Sequence, residues 1–299
     1  MLETTINGIK FKNPVIAASG TFGFGAEFSG YFDVSLLGGI ASKGLTLNPR
    51  EGNAGQRMLE TPSGMLNSVG LQNPGLRAFV AEELPRMKKY RTNIIANLSG
   101  SCEGDYLAGA EILDDSGIDM IELNISCPNV KSGGMAFGIK ADVAAALVSA
   151  VRRKVRRKPL MVKLSPNAEN IAEMGKACEA AGADSLSLVN TFSGLAINIY
   201  TRKPFFENVI AGLSGPAIKP LALRMVRDVY KAVKIPVVGM GGIAGWTDAA
   251  EFIMAGASLV QVGTANFTKP DICLDIIRGL ERFLAEQNIT SPDELRGII

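Results

Sequence analysis

The sequence has 299 residues, of which 47% are hydrophobic and 20% are charged, a balance that excludes a disordered or fibrous protein. Its 31 basic and 29 acidic residues leave a net charge of +2, which argues against nucleic acid as the main partner. It contains no histidine, so an imidazole base, a histidine metal ligand and a Ser-His-Asp triad are all excluded.

Short apolar runs recur along the chain and predict β-strands. Residues 1–13 predict a small hairpin, with its turn at Asn7 and Gly8, which we expect to close one end of the fold. Five strands are predicted at residues 14–19, 39–43, 94–98, 160–164 and 235–240. Three more lie in a repeated pattern at residues 116–124, 181–190 and 255–263, in which a glycine ends a helix and a short strand follows. Helical patterns occupy residues 141–155, 168–181, 219–233 and 247–255.

The alternation of strands and helices predicts a parallel sheet with right-handed crossovers. Eight such units fit a (β/α)8 TIM barrel, for which roughly 250 residues is typical. A doubly wound sheet is the alternative, but no G-x-G-x-x-G motif follows the first strand. No linker divides the chain, so we expect residues 1–299 to form a single domain. Residues 44–75 and 193–217 predict long loops that cover the carboxyl-terminal face of the barrel.

The cysteines and the N-terminus bear on compartment and metal content. The four cysteines have no C-x-x-C spacing, which argues against a zinc ribbon or an iron–sulfur cluster held by this chain. We therefore expect no metal site. The first residues lack the basic and apolar regions of a signal peptide, and no apolar run is long enough to span a membrane. The sequence predicts a cytoplasmic protein that does not bind membranes.

The active site of such a barrel lies at the carboxyl ends of its strands. Two lysines, Lys43 and Lys163, are predicted there, and we do not expect two inward lysines in a purely structural barrel. Glycines after the seventh and eighth strands favour a phosphate-bearing ligand, because their backbone N–H groups can approach a phosphate closely. The other strand-end residues are Ser19, Gly44, Asn97, Asn124, Cys127, Asn190, Thr191, Gly241, Gly242, Gly263 and Thr264.

Two side chains are candidates for the chemistry. In the absence of histidine, the Cys127 thiolate is a possible general base, although an ordinary thiol has a pKa of roughly 8.5. Cys102 also follows a strand end and is the alternative base, whereas Cys178 and Cys273 lie in helical patterns and are interpreted as inert, buried thiols. Lys163 either forms a Schiff base, as in aldolases, or remains charged and stabilises an anion on a cofactor ring.

Five motifs together resemble those of class 1 dihydroorotate dehydrogenases, and the resemblance covers essentially the whole chain. They are S-K-G-L-T at 42–46, N-S-V-G-L-Q-N at 67–73, N-I-S-C-P-N at 124–129, V-K-L-S at 162–165 and V-N-T at 189–191. The resemblance implies an FMN-dependent (β/α)8 barrel that oxidises dihydroorotate to orotate in pyrimidine biosynthesis. A cysteine base without a membrane-associated extension is typical of the soluble class.

The resemblance also implies roles for individual residues. Cys127 would remove the C5 proton of dihydroorotate while a hydride passes from C6 to N5 of FMN, and Lys163 would stabilise the reduced, anionic flavin. The substrate would be bound by Lys43, Asn67, Ser68, Val69, Gly70, Leu71, Asn124, Asn190 and Thr191. The flavin ring and ribityl chain would be held by Ser19, Lys43, Gly44, Asn97, Asn124, Lys163, Val189 and Gly215, and the phosphate by Gly241, Gly242, Gly263 and Thr264.

Three further stretches are similar to the NAD-linked class 1B: residues 18–23, 127–135 and 212–220. That class pairs the catalytic chain with a subunit that carries FAD and a 2Fe–2S cluster and reduces NAD, which implies a heterotetramer with two copies of each chain. The absence of clustered cysteines agrees with a cluster on the partner. The fumarate-using homodimer remains the alternative within the family. Ala54 departs from the pattern, because proline is expected there, and this affects only local loop rigidity.

Three other functions stay open on the residues alone. A dihydropyrimidine dehydrogenase-type reductase acting on uracil or thymine needs no group for a substrate carboxylate. The substrate preference of a Lys43 variant therefore distinguishes it from a dihydroorotate dehydrogenase. An aldolase would use Lys163 as a Schiff base, which borohydride trapping reveals. A non-enzymatic docking scaffold would bind no flavin.

Overall fold

The computed structural model describes residues 1–126 and 137–299, and it confirms the TIM barrel. Eight parallel strands of the described residues follow one another around a closed barrel in chain order. They are β1 (Val15–Ala17), β2 (Gly39–Ala41), β3 (Asn93–Leu98), β4 (Met120–Asn124), β5 (Leu160–Lys163), β6 (Ser185–Leu188), β7 (Val237–Met240) and β8 (Ala257–Val262).

Helices form most of the crossovers between these strands. The helices Glu103–Asp114, Ala141–Lys154, Ile171–Ala180, Lys219–Ala232, Trp246–Met254 and Ile272–Glu286 follow β3 to β8, the last after the short helix Ala265–Thr268. The crossover after β2 consists of Leu76–Ala78, a π-helical turn Phe79–Glu83 and Leu84–Lys88, and the one after β1 contains only the 3-10 turn Val34–Leu36. Two further 3-10 turns are Pro216–Ile218 and Pro292–Glu294. The four predicted helices therefore agree with the structure to within a few residues at their ends.

The lower half of the barrel interior is apolar and is closed by the N-terminal hairpin. Ile16, Ile95, Met120, Met161, Val238 and Leu259 point inward from their strands and form one buried cluster with Ile6 and Phe11. These last two residues belong to the hairpin of Thr4–Ile6 and Ile9–Phe11, whose turn contains Asn7 and Gly8 as predicted. The Asn7 amide nitrogen donates to Ser185 Oγ on β6 at 2.7 Å, which joins the hairpin to the barrel wall.

The long segments after β2 and β6 are more regular than the predicted loops. They contribute the strands Met58–Thr61, Gly64–Asn67, Phe192–Leu195 and Ile210–Ser214, which form one antiparallel sheet, here called the cap sheet. A small ribbon of Ile197–Asn198 and Lys203–Pro204 continues from it. Because both segments start at carboxyl ends of barrel strands, the cap sheet belongs to that face of the barrel. No helix in the described ranges is long and apolar enough to cross a membrane.

Candidate functional site

The barrel interior becomes polar toward the carboxyl ends of the strands. Alternate residues of a strand point to the same face, so the inward Met161 on β5 places Lys163 inward as well. By the same alternation, Ile95 on β3 is followed by Asn97, and Met120 on β4 is followed by Glu122 and Asn124. The sequence therefore directs polar side chains into the same half of the barrel from neighbouring strands.

Lys163 is buried, with 5% of its surface exposed. It lies opposite Asn124 of β4 on one side and Ser187 of β6 on the other. No side chain of residues 1–126 or 137–299 forms an ion pair or hydrogen bond with its ammonium group. A buried charge without partners is costly, so this ammonium fits a ligand that offers anionic or strongly accepting oxygen and nitrogen atoms.

A chain of hydrogen bonds leads from the barrel interior to the segment that follows β4. Asn97 Nδ2 donates to Glu122 Oε2 at 2.5 Å, and Asn97 Oδ1 accepts from Asn124 Nδ2 at 3.5 Å. Asn124 Oδ1 in turn accepts the backbone N–H of Ser126 at 3.1 Å. Tyr106 donates its hydroxyl to the Asn124 carbonyl at 2.8 Å. The two predicted amides, Asn97 and Asn124, are thus brought into contact.

Glu122 is a site residue that the sequence interpretation missed. It is fully buried and accepts hydrogen bonds from side chains on three other strands. The available signal was an acidic residue in an otherwise apolar strand, two positions before Asn124 and hence on the same inward face. A β-strand pattern alone assigns no function to such an acidic side chain.

Residues 67–71 pass over the end of β2. Asn53 holds this segment, because its Nδ2 donates to both the carbonyl and the hydroxyl of Ser68 at 3.1 Å and its N–H donates to the Val69 carbonyl at 3.0 Å. The positive φ of Gly70, +78°, and its proximity to Asn53 leave no room for a side chain there. Leu71 lies against Gly44, and Asn67 Nδ2 donates to the Gly212 carbonyl of the cap sheet at 3.2 Å.

Lys43 and Gly44 lie at the end of β2, near Asn97. A Cβ atom on Gly44 would be 3.2 Å from Asn97 Oδ1, so the two residues are close neighbours. The half-buried Lys43 forms a backbone hydrogen bond to Gly23 at 3.0 Å, and its ammonium has no acidic partner in the described ranges. Ser99 Oγ is buried nearby, without a hydrogen-bond partner in the part of the chain that the structure describes. Ser19 is half-buried after β1.

The predicted phosphate-binding residues come together on the opposite side of the mouth. Gly241 and Gly242 follow β7 with φ values of +121° and +82°. Thr264, after β8, donates its hydroxyl to Ser214 Oγ of the cap sheet at 2.9 Å, which places Gly215 beside the end of β8. A Cβ on Gly263 would make only ordinary van der Waals contacts, the nearest with the Cβ of Ala18 at 3.7 Å. Backbone N–H groups next to small residues suit a phosphate.

The end of β6 joins these two regions. Val189 is buried, donates its N–H to Met240 of β7 at 2.9 Å and lies against Gly241. Asn190 donates its N–H to the Leu164 carbonyl at 3.3 Å, and its Oδ1 accepts the Thr191 N–H at 2.9 Å. Thr191 packs closely against Gly212 of the cap sheet. Val189, Asn190 and Thr191 therefore lie between the lysine-containing side of the mouth and its glycines.

The cysteines differ in accessibility. Cys127, the predicted base, lies outside the described residues. Burial raises the pKa of Cys178 and of Cys273 to about 12, which agrees with inert thiols. Cys102, the alternative base, is exposed at the start of the helix Glu103–Asp114. In residues 1–126 and 137–299, no cluster of cysteine and acidic side chains is suited to hold a metal ion.

Comparisons with known proteins agree over most or all of the chain. The family model for dihydroorotate dehydrogenase matches residues 1–284. A protein of Petrotoga mobilis named "Dihydroorotate dehydrogenase B (NAD(+)), catalytic subunit" is 59% identical over 301 aligned positions that cover 100% of both chains. Proteins of the same name from Thermoanaerobacter pseudethanolicus and Bacteroides thetaiotaomicron are 52% and 51% identical, and the alignments cover 99% and 100% of this chain and 98% of each relative.

Proposed function

The chain belongs to the dihydroorotate dehydrogenase family, and on this basis we propose that it oxidises (S)-dihydroorotate to orotate in the synthesis of pyrimidine nucleotides. The observation that carries this proposal is the buried Lys163 ammonium, which lies beside Asn124 and has no partner among the described residues. Such a site suits a planar ligand that becomes negatively charged. The relatives named as NAD(+) enzymes support NAD as the final acceptor.

We propose that the cofactor held at the strand ends is FMN. When bound, FMN supplies an acceptor for hydride at N5. The Lys163 ammonium, which has no partner among the described residues, would lower the energy of negative charge on the reduced ring, because a fixed positive charge acts strongly in a site with little water. The ring and ribityl chain would be held by Ser19, Lys43, Gly44, Asn97, Asn124, Val189 and Gly215, and the phosphate by Gly241, Gly242, Gly263 and Thr264.

The substrate would lie against the same mouth. The amides of Asn67, Asn124 and Asn190 can each donate and accept hydrogen bonds, which suits the alternating N–H and C=O groups of a dihydropyrimidine. The Lys43 ammonium would pair with the substrate carboxylate. Thr191 and residues 68–71 would complete the binding surface, since Asn53 and the cap sheet hold both segments in place.

We propose Cys127 as the general base that takes the proton from C5 while hydride leaves C6. Asn124 supports this assignment, because its side chain accepts the N–H of Ser126 at 3.1 Å and so anchors the chain one residue before Cys127. Replacing Cys127 by alanine should preserve FMN binding but slow reduction of the flavin by dihydroorotate by about 10²–10⁴-fold. Cys127→Ser should keep part of the activity.

The name "catalytic subunit" among the relatives supports a partner chain for electron transfer. We propose that this partner carries FAD and a 2Fe–2S cluster, that two copies of each chain assemble into a heterotetramer, and that the complex works in the cytoplasm. We also propose that residues 1–299 act as one FMN-binding domain, which is supported by the closure of the barrel between β1 and β8.

The test is an anaerobic titration of the purified, FMN-reconstituted chain with dihydroorotate, followed by its visible absorption. Bleaching of the flavin bands by dihydroorotate, and not by dihydrouracil, is the expected result. A chain that binds no FMN, or a flavin that only dihydrouracil reduces, would refute the proposal. Cys102→Ala is the matched control for Cys127→Ala: if Cys102→Ala abolishes reduction and Cys127→Ala does not, the base assignment is wrong.

A further inference from the structure

Glu122, to which the proposed reaction assigns no role, lies at the centre of a buried polar cluster. Its side chain is fully buried on β4. It accepts hydrogen bonds from Asn97 Nδ2 of β3 at 2.5 Å, Ser187 Oγ of β6 at 2.8 Å and Gln261 Nε2 of β8 at 2.7 Å. The carboxylate therefore connects four strands just below the mouth of the barrel.

The carboxylate determines which way the Asn97 amide is turned. The Glu122 carboxylate oxygens accept all three of these hydrogen bonds, so the nitrogen of Asn97 faces Glu122 and its oxygen faces the mouth. The other end of the chain is fixed by a group that can only donate, the backbone N–H of Ser126, which binds Asn124 Oδ1. Between these two ends, each amide has one orientation that satisfies its neighbours: Asn124 Nδ2 donates to Asn97 Oδ1.

This arrangement leaves defined groups for a ligand. Asn97 Oδ1 has a second lone pair, and Asn124 Nδ2 has a second hydrogen. Toward the mouth the pair thus offers one acceptor and one donor side by side, which complements the N–H and C=O edge of a flavin or pyrimidine ring. If Asn97 were turned over, its nitrogen would face Asn124 Nδ2, and the acceptor would be lost.

We propose that Glu122 is a positioning residue that fixes the donor and acceptor pattern of Asn97 and Asn124, and through them the binding of FMN and substrate. This inference rests on the proposed function, because it assigns the two amides to that ligand pair. Glu122 itself does not touch the ligand. Its effect passes through the hydrogen bond to Asn97, the shortest of the three that it accepts.

The decisive variant is Glu122→Gln, which keeps the shape of the side chain but can present either oxygen or nitrogen to Asn97. The Asn97 amide then occupies two orientations, and only one of them binds the ligand. Because apparent affinity falls with the fraction of competent molecules and a charge-assisted bond is lost, the Kd for FMN should rise by about threefold to tenfold. Flavin fluorescence quenching on the apoprotein measures this constant without any turnover.

A charge exchange within the cluster provides the rescue. In the double variant Glu122→Gln with Gln261→Glu, the new carboxylate at position 261 can only accept, so it binds the nitrogen of the glutamine at position 122. The oxygen of that glutamine then faces Asn97 again, and the FMN affinity should return to within about twofold of the wild type. Gln261→Glu alone places two carboxylates together and should bind FMN less tightly than the double variant.

Ser185→Ala is the matched control. Ser185 is a buried serine of β6, as Ser187 is, but its hydroxyl hydrogen-bonds Asn7 rather than Glu122. It should lower the melting temperature and leave the Kd for FMN unchanged. The perturbation of the flavin spectrum by orotate should weaken in Glu122→Gln and recover in the double variant. The inference is refuted if Glu122→Gln binds FMN and orotate as the wild type does, or if the double variant binds no better than either single variant.

The outcomes also separate this inference from the proposed function. A wild-type chain whose flavin is bleached by dihydroorotate, together with an unaffected Glu122→Gln variant, overturns only the inference. A wild-type chain that binds no FMN overturns both. If Glu122→Gln does not yield folded protein, the comparison of Gln261→Glu with the double variant decides. The double variant should bind FMN more tightly than Gln261→Glu only if the side chain at position 122 must present an acceptor to Asn97.

Discussion

Replacing Gly242 by alanine tests the backbone conformation at the proposed phosphate end. Gly242 has a φ of +82°, and an added Cβ would lie 2.7 Å from the backbone nitrogen and 2.8 Å from the Cα of Lys219. A positive φ costs a residue with a side chain about 1–2 kcal/mol, and overpacking costs about 1–3 kcal/mol. Backbone atoms of the helix Lys219–Ala232 cannot move aside as a side chain can, so both costs apply. We therefore expect the free energy of unfolding to fall by about 2–5 kcal/mol.

The assay is urea unfolding followed by far-ultraviolet circular dichroism, with FMN affinity measured on the same preparations. Gly30→Ala is the matched control, because a Cβ on Gly30 meets no atom within 4 Å and its φ is not positive. We expect Gly242→Ala to unfold at clearly lower urea and to bind FMN more weakly, while Gly30→Ala behaves as the wild type. A Gly242→Ala chain with the wild-type unfolding midpoint would show that the steric reasoning is wrong.

Two further predictions concern stability and thiol reactivity. Burial tends to raise the pKa of Asp114, but hydrogen bonds from three consecutive backbone N–H groups after the helix Ala141–Lys154 outweigh it and lower the pKa. Asp114→Asn should therefore lower the free energy of unfolding by about 2 kcal/mol near neutral pH. This difference from the wild type should shrink as the pH falls through the lowered pKa of Asp114. Replacing the neighbouring, exposed Asp115 by asparagine should change the free energy of unfolding little in the same pH series. Iodoacetamide at pH 8 followed by mass spectrometry should modify Cys102 in the folded protein but not Cys178 or Cys273, and rapid labelling of either buried thiol would contradict their burial.

The barrel itself was predictable because its information is local. Each strand is a short apolar run, and each glycine that ends a helix is followed by the next strand, as in Gly256 before β8. All eight predicted strands are present in the structure; seven are shorter than predicted, and β3 begins one residue earlier, at Asn93. The positions of Lys43, Lys163, Asn97 and Asn124 followed from the same rule, since the residue at a strand end faces the mouth.

The cap sheet and Glu122 were not predictable in this way. The strand Gly64–Asn67 pairs with Ile210–Ser214, which is far away in the chain. Each strand is so short that its own residue pattern does not identify the strand it pairs with. Glu122 depends on three donors from three different strands, each unremarkable alone. Long-range pairing and hydrogen-bond polarity arise only when the barrel closes, so one sequence read segment by segment does not contain them.

The N-terminal hairpin has a consequence for synthesis of the chain. Asn7 finds its hydrogen-bond partner at Ser185, a separation of 178 residues, and the apolar side chains of Ile6 and Phe11 share their cluster with Met161 and Leu259. At a translation rate of about 5–20 residues per second, roughly 10 to 35 s pass between the emergence of Asn7 and that of Ser185 from the ribosome. During that interval the apolar side chains of Ile6 and Phe11 lack the barrel residues that later cover them. We therefore expect the N-terminal hairpin to be bound by chaperones that act at the ribosomal exit.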